Sequence, residues 1–455
     1  MALSNAISIP LFRFLCQGAL FLWSDLGGRD VVLRIGSVGD DDQDQAEQVT
    51  TRPIVLKVTQ VPHLLGAKHA FIRIIQYSSP LKLKITLLIM TTRIIAVIGG
   101  TGAQGMPIVR DLVRSGSYTV RALTRDPSSQ RFKELLSYGA SGTVEPVVGT
   151  FASEEDLRAV FRGAWGAFVN IDGFNCGEKT EIFWSLRAYE LAIETGVSFF
   201  VFGGLAYGYK ASGFDPKFRV GHYDAKGRVG EFILAQNDHV TRHHGMRAAL
   251  FTTDPYMAMS IHAGTPMAPT VEDGVITWRV PLGDGAVPHV ALEDCGYYVK
   301  WLFDHPDRAS GMDLSVAIAH ITYADVAEAF TKVTGKPARF VDTTFEEYWS
   351  TIPWADRTMG YNADPSDSAS MNNRQNFTGW WNLWRASGGN KGVLRKDYAL
   401  LDEIHPNRIR SVEEWFRLED KRGRELGLGG LWDRVQPDKI GFVLKIHEDK
   451  GKGRL

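Results

Sequence analysis

Residues 94–98 form an unbroken apolar run, Ile-Ile-Ala-Val-Ile, and Gly99-Gly100-Thr101-Gly102-Ala103-Gln104-Gly105 follows it directly. Beyond the glycines, within 106–113, Ile108, Leu112 and Val113 recur at helical spacing, and Gly116 ends the pattern. No other segment constrains the fold as much. The glycines read as GxGxxG at Gly100, Gly102 and Gly105, and as GxxGxxG at Gly99, Gly102 and Gly105. One glycine makes the tight turn, a second lets a pyrophosphate approach the backbone, and a third lets helix pack on strand. The unpaired N–H groups that open the helix are then the anion site. The motif alone is weak; a strand before it and a helix after it supply the context it needs.

The same alternation continues. Strand patterns at 119–124, 144–148, 167–170, 198–202 and 248–252 are separated by helix patterns at 131–138 and 182–195 and by an acid-rich helix start at Ser153, Glu154, Glu155 and Asp156. Short connections between such units predict an α/β fold, a doubly wound parallel sheet with helices on both faces, of the Rossmann NAD(P)-binding kind. After residue 254 the pattern is mixed. Residues 275–280 and 287–290 are strand-like, and 293–303 and 323–333 are helical.

The expected organisation is a poorly ordered extension over 1–89, an NADP-binding domain over 90–255, a smaller α+β lobe on the substrate side over 256–345, and a tryptophan-rich extension over 346–455. That extension holds Trp349, Trp354, Trp380, Trp381, Trp384, Trp415 and Trp432. Packing is the expected role of these rings, with a pocket for an aromatic substrate as the alternative. Residues 364–373 read as a polar loop, and 410–418 as a short helix opened by Ser411 and Glu414.

Length and charge bound the rest. A chain of 455 residues has room for two or three domains. A net charge of −1 gives no push toward nucleic acid or a membrane surface. Cys16, Cys176 and Cys295 match neither a metal spacing nor a disulfide framework, so a reducing, cytoplasmic setting is expected. Residues 7–23 are apolar, but Arg13 interrupts them and they fall short of the ~20 residues a membrane span needs. The acidic stretch 39–47 reads as a solvated linker. Met90, just before the first strand of the alternation, is the expected natural start, and a targeting segment in 1–89 is the competing reading.

The end of the second strand selects the cofactor. An acid ~20 residues after the glycines holds the ribose 2′-hydroxyl of NAD. Here Arg125 stands twenty positions after Gly105, with Arg121 earlier in the strand. A guanidinium suits the 2′-phosphate of NADP, because its fork binds two oxygens. Asp126 keeps NAD open, although it would more naturally cap the turn before Pro127.

A second cluster is Gly221-His222-Tyr223-Asp224-Ala225-Lys226. Short-chain dehydrogenases use a tyrosine as proton donor, with a lysine four residues on that holds the nicotinamide ribose and lowers the tyrosine pKa. In this chain Tyr223 is three residues from Lys226, and His222 occupies the position four away. Lys226 is the expected ribose contact; Tyr223, His222 or a bound water is the proton donor.

The run 94–105, the strand end Arg121-Ala122-Leu123-Thr124-Arg125-Asp126-Pro127, the Gly163-Ala164-Trp165 segment and His222-Tyr223-Asp224-Ala225-Lys226 together resemble the NmrA-like branch of atypical short-chain dehydrogenases, in a fungal style, over residues 92–346. The resemblance implies NADP contacts at Gly100, Thr101, Gly102, Ala103, Gln104 and Gly105, and at Arg125, Asp126, Pro127, Ser128 and Ser129. It implies others at Thr150 and Phe151, at Ile171, Asp172 and Gly173, at Lys226, and at Thr253, Asp254, Pro255 and Tyr256. This chain departs from the family where Thr150 replaces the acid common after Gly149, and it lacks Tyr-x-x-x-Lys, as family members do. Fungal members serve as oxidoreductases of secondary metabolism; others bind NADP(H) as redox sensors or transcriptional co-regulators. The expected activity is therefore NADP-dependent reduction of a small organic substrate, with a non-catalytic sensor that has a protein partner as the alternative.

His239, His243 and His244 share helical spacing but lack an acid or cysteine in register, so surface histidines are expected rather than a metal site. Asn376-Phe377-Thr378 matches a glycosylation acceptor that a cytoplasmic chain would not use. Residues 445–455 read as a solvated basic tail.

Overall fold

The computed structural model describes residues 92–445 with their side chains. Before Thr92 it describes five strand backbones: Ala19–Asp25, Val31–Ser37 and Ile54–Leu56 pair antiparallel, as do Ala70–Ile75 and Thr86–Thr91. Most of the extension 1–89, and the tail from 446 on, lie outside the described residues. The chain divides into two compact units, Met1–Thr91 and Thr92–Leu455, and the second carries the glycine motif and the alternating strands and helices.

The centre of this second unit is a seven-stranded sheet in which every neighbouring pair is parallel. The strands in chain order are β1 (Arg93–Ile98), β2 (Tyr118–Thr124), β3 (Val144–Val148), β4 (Gly166–Val169), β5 (Phe199–Leu205), β6 (Arg247–Thr253) and β7 (Asp313–Ser315). Their order across the sheet is β7-β6-β5-β4-β1-β2-β3. The order reverses between β1 and β4, which opens a crevice at the carboxyl ends of those strands.

Both faces are covered, which is why the strands read as continuous apolar runs rather than alternating ones. Ile95 and Val97 of β1 point to one side, where they pack with Ile108, Leu112 and the helix Leu292–Asp304. Ala96 and Ile98 point to the other, toward Leu157, Ala188 and Val229. Each such side chain, taken from water to full burial, contributes roughly 1.5–3 kcal/mol for the larger apolar types.

The helices are α1 (Gly105–Arg114), α2 (Gln130–Leu136), α3 (Glu154–Phe161), α4 (Gly173–Glu194) and α5 (Gly221–His244). Ser153 caps α3 by accepting from the Asp156 backbone, as its spacing predicted. Helix α4 differs from expectation, starting at Gly173 rather than near Ile182. Gly177 sits inside it with φ 78, a left-handed kink where an added Cβ would stand 2.8 Å from the Ala363 Cβ. A glycine and a polar first turn hid the helix period there. Strand β7 is also absent from the sequence reading, because three residues carry too little pattern.

The rest of the unit packs as an α+β layer. A second sheet has Thr270–Glu272 antiparallel and Ala338–Asp342 parallel to the intervening Val275–Val280. The helices Tyr323–Thr334, Asn373–Arg385 and Val412–Glu425 close over it. The tryptophans are mostly core: Trp381, Trp384 and Trp415 are fully buried, and Trp278 donates from Nε1 to the Ser260 carbonyl at 2.8 Å. Ser411 accepts from the Glu414 backbone as expected, but that helix continues to Glu425.

A candidate dinucleotide and substrate site

A cavity of about 640 Å³ lies at the carboxyl ends of β1, β2, β4, β5 and β6, at the switch point. The glycine loop forms one end. Gly99 holds φ 85, where L side chains are strained, and a Cβ there would sit 2.4 Å from the Asn170 carbonyl oxygen. A Cβ on Gly105 would stand 2.1 Å from the Gly99 oxygen and 2.7 Å from the Gly100 Cα. Both positions therefore demand glycine, and the loop turns tightly, with the Gly102 N–H on the Gly99 oxygen at 3.0 Å.

Of the residues predicted from sequence, Thr101, Gly102, Ala103, Gln104 and Gly105 line the cavity, as do Arg125, Asp126, Ser129, Thr150 and Phe151. Ile171, Asp172, Gly173, His222, Tyr223, Lys226, Thr253, Asp254, Pro255 and Tyr256 also line it. Gly100, Pro127 and Ser128 do not lie on its wall. Gly100 faces Val97, Val109 and Ala122, where its missing side chain lets helix meet strand. Pro127 and Ser128 are exposed in a turn that Asp126 caps, its Oδ1 accepting from the Ser128 N–H at 2.8 Å. Arg121 points away, donating to the Arg162 carbonyl at 2.7 Å. The Thr150 N–H donates to Asp156 Oδ2 of α3 at 2.9 Å.

A polar chain runs along the floor. Gln104 donates to Thr253 Oγ1 at 3.1 Å and accepts from Asn170 Nδ2 at 2.6 Å; Asn170 Oδ1 accepts from Lys226 Nζ at 2.8 Å. Lys226 also donates to the Ile171 carbonyl at 2.8 Å and pairs with Glu181 at 2.9 Å. Glu181 is fully buried, and burial pushes its carboxyl up to about 7 against the pull of Lys226. Gly173 makes room for it, since a Cβ there would lie 2.2 Å from Glu181 Oε2.

His222 and Tyr223 open α5 beside each other. Burial pushes the His222 imidazole down to about 4, so it is neutral near pH 7. Its Nδ1 meets Asn376 Oδ1 at 3.0 Å, and with that acceptor the ring proton is assigned to Nδ1. Asn376 is itself fully buried, which removes it as a glycosylation acceptor. Tyr223 is held protonated, first by burial and then by the nearby Asp254 carboxyl. Around these polar groups stand Phe174, Tyr256, Met259, Phe377 and Trp380.

Sequence reasoning missed Asn170, Glu181, Phe174, Met259 and Phe377 as site residues, whereas Tyr256 was expected there and Trp380 stood among the rings whose alternative role was a substrate pocket. Asn170 had a signal, since it ends a strand pattern at the switch point. Phe377 arrives from a helix some 150 positions after Lys226 and had none, and for Trp380 on the same helix the tryptophan cluster was the signal. Leu444 and Lys445 also reach the cavity. His239, His243 and His244 are exposed at the far end of α5.

The sequence profile of the NmrA-like family matches residues 91–380, and the chain belongs to that family. The match extends past residue 346 and ends at Trp380, within the helix Asn373–Arg385. The chain is 30% identical over 270 residues to the NmrA-like family domain-containing oxidoreductase FrzB of a Cladobotryum species, covering 55% of this chain and 76% of that one. It is 29% identical over 272 residues to oxidoreductase hkm9 of Aspergillus hancockii, covering 58% and 78%. Among solved structures it resembles NmrA, a negative transcriptional regulator, in complex with NADP, with a TM-score of 0.54, 17% identity, and coverage of 74% of this chain and 98% of that one. That likeness concerns the fold.

Proposed function

We propose that this protein is an NADP(H)-dependent reductase of a small, largely apolar organic molecule bearing a carbonyl, enone or imine. The observation that carries this reading is one continuous cavity. It begins at a glycine loop that any Cβ would fill and ends at an aromatic wall around the Tyr223 hydroxyl. The loop, the amides that open α1, and Arg125 fit a dinucleotide bearing a 2′-phosphate. NADPH supplies a hydride when bound. Lys226, braced by Asn170, Ile171 and Glu181, positions the groups around the ribose, and Phe174, Tyr256, Phe377 and Trp380 exclude water and stack on a planar substrate. Tyr223 is the preferred proton donor. Neutral His222, with its one proton committed to Asn376, is better suited to accept than to donate.

Secondary metabolism is the proposed setting, consistent with relatives from Cladobotryum and Aspergillus that bear the name oxidoreductase. The test is NADPH consumption with a panel of aromatic ketones, enones and cyclic imines, alongside calorimetry with NADPH. Cofactor binding without turnover of any of them counts against catalysis. A second reading, an NADP(H)-binding redox sensor, draws on Lys226, whose hydrogens are already directed to protein acceptors. It predicts a partner protein whose affinity changes when NADPH is added.

A further inference from the structure

Lys396 lies beyond the family-matched region, yet it enters the wall behind Tyr223. It forms an ion pair with Asp254 in which the two side chains are 1% and 0% exposed. Its ammonium also donates to Ser315 Oγ of β7, and its backbone is clasped by Asn390, which accepts from the Lys396 N–H at 2.8 Å and donates to its carbonyl at 2.9 Å. Asp254 follows β6 and lines the cavity. Lys396 pairs with Asp254 Oδ2, and the Tyr223 hydroxyl is the other donor that faces the carboxyl. A carboxyl and an ammonium buried together beside a cavity are costly for stability alone.

We propose that Asp254 returns a proton to Tyr223 in each reductive cycle, and that Lys396 positions Asp254 and stabilises the carboxylate this transfer leaves. This rests on the reductase reading above. As hydride from NADPH reaches the substrate carbon, the electron pair of its C=O or C=N bond moves to the heteroatom. The Tyr223 O–H bond breaks and an O–H or N–H bond forms on the substrate. Asp254 then passes its proton to the phenolate, and solvent entering the cavity reprotonates Asp254. The sum is one hydride from NADPH and one proton from water.

The groups facing the pair are Lys396 and Tyr223, which favour the ionised Asp254, and Asp313, which opposes it. Tyr398 and Tyr256 stand nearby, and His320 faces Lys396. Burial outweighs the rest and holds the Asp254 carboxyl above the ordinary range, which brings its protonated form within reach.

The first test uses the cofactor-free protein. Infrared difference spectra between about pH 5 and pH 9 should show a protonated-carboxyl C=O band that is lost as pH rises. Glu181, raised to about 7, gives such a band as well, so the component to follow is the one that Asp254→Asn removes and Glu181→Gln leaves. In Lys396→Met its loss should move up by about a unit or more, because the paired cation is gone, and Lys396→Arg should restore it. The second test follows NADPH oxidation with 9,10-phenanthrenequinone. Asp254→Asn should lower the rate at saturating NADPH about 100-fold and flatten the pH profile, while calorimetry shows that NADPH still binds. No band assignable to Asp254, or wild-type rates and pH profile in Asp254→Asn, overturns the relay while leaving the reductase reading intact. A wild type that shows the band and binds NADPH, yet reduces no acceptor, overturns the reductase reading and the relay with it.

Discussion

Lys445 Nζ donates to Thr101 Oγ1 at 3.1 Å, joining the last described residue to the glycine loop across 344 positions. The segment before it is tied down by the Ala263 N–H on the Gly441 carbonyl at 2.9 Å. A cation is thereby carried to the loop where a pyrophosphate would lie. Lys445→Ala should weaken NADPH binding about 5- to 10-fold in low salt and less as salt rises, since a partly exposed charge is screened. Calorimetry at two ionic strengths checks this, and unchanged affinity at both would remove Lys445 from the site.

Arg125 lines the cavity at the end of β2, where the adenosine 2′-substituent would fall. Arg125→Ala should cost NADPH roughly 10- to 100-fold in affinity and leave NADH nearly unchanged, because only the 2′-phosphate needs the guanidinium. Equal losses for the two cofactors would assign Arg125 to general electrostatics.

Gly105→Ala places a Cβ 2.1 Å from the Gly99 carbonyl oxygen, a backbone atom that cannot swing away. The loop must shift, at a cost of about 1–3 kcal/mol. The expected outcome is a folded protein with lowered Tm and no calorimetric signal for NADPH. A crystal structure of the variant with an unmoved loop would contradict this.

Two buried histidines and the half-buried His320 contribute to the response to acid. Burial pushes His222 down to about 4, His289 to about 3 and His320 to about 4, from an ordinary 6.5. A depressed folded value means that the unfolded chain takes up protons first. Stability from these groups is therefore complete above about pH 6.5 and is lost as pH falls toward 4. Glu181, raised to about 7, acts in the opposite sense: its contribution is complete below 4.5 and fades as pH rises toward 7. Tm measured from about pH 4 to pH 8 should fall less steeply on the acid side in His289→Gln than in the wild type. Parallel curves would show that His289 does not titrate on unfolding.

Much of the nucleotide half is legible in the sequence. The strand, glycine loop and helix at 93–114 follow from an apolar run, a motif and a helical period within about twenty residues. Arg125 is reached by counting twenty positions from Gly105, whereas the residues after β4 and β6 follow only from the family resemblance. The reading fails where local pattern is thin. Gly177 breaks the period of α4 and hides its first turn, β7 is too short to register, and Pro127 and Ser128 are expected on the wall although their turn faces solvent.

By itself, the sequence determined the strand and helix alternation and the anion-binding loop, because backbone sterics and side-chain periodicity act between near neighbours. Which groups surround Tyr223 was decided by tertiary structure alone. Asp254, Trp380 and Lys396 come together there from distant parts of the chain, and Lys396 becomes a buried partner only once Asp254 is carried out of water beside it. The desolvation that shifts His222, Glu181 and Asp254 is likewise a property of the packed interior, which no stretch of chain possesses before it folds.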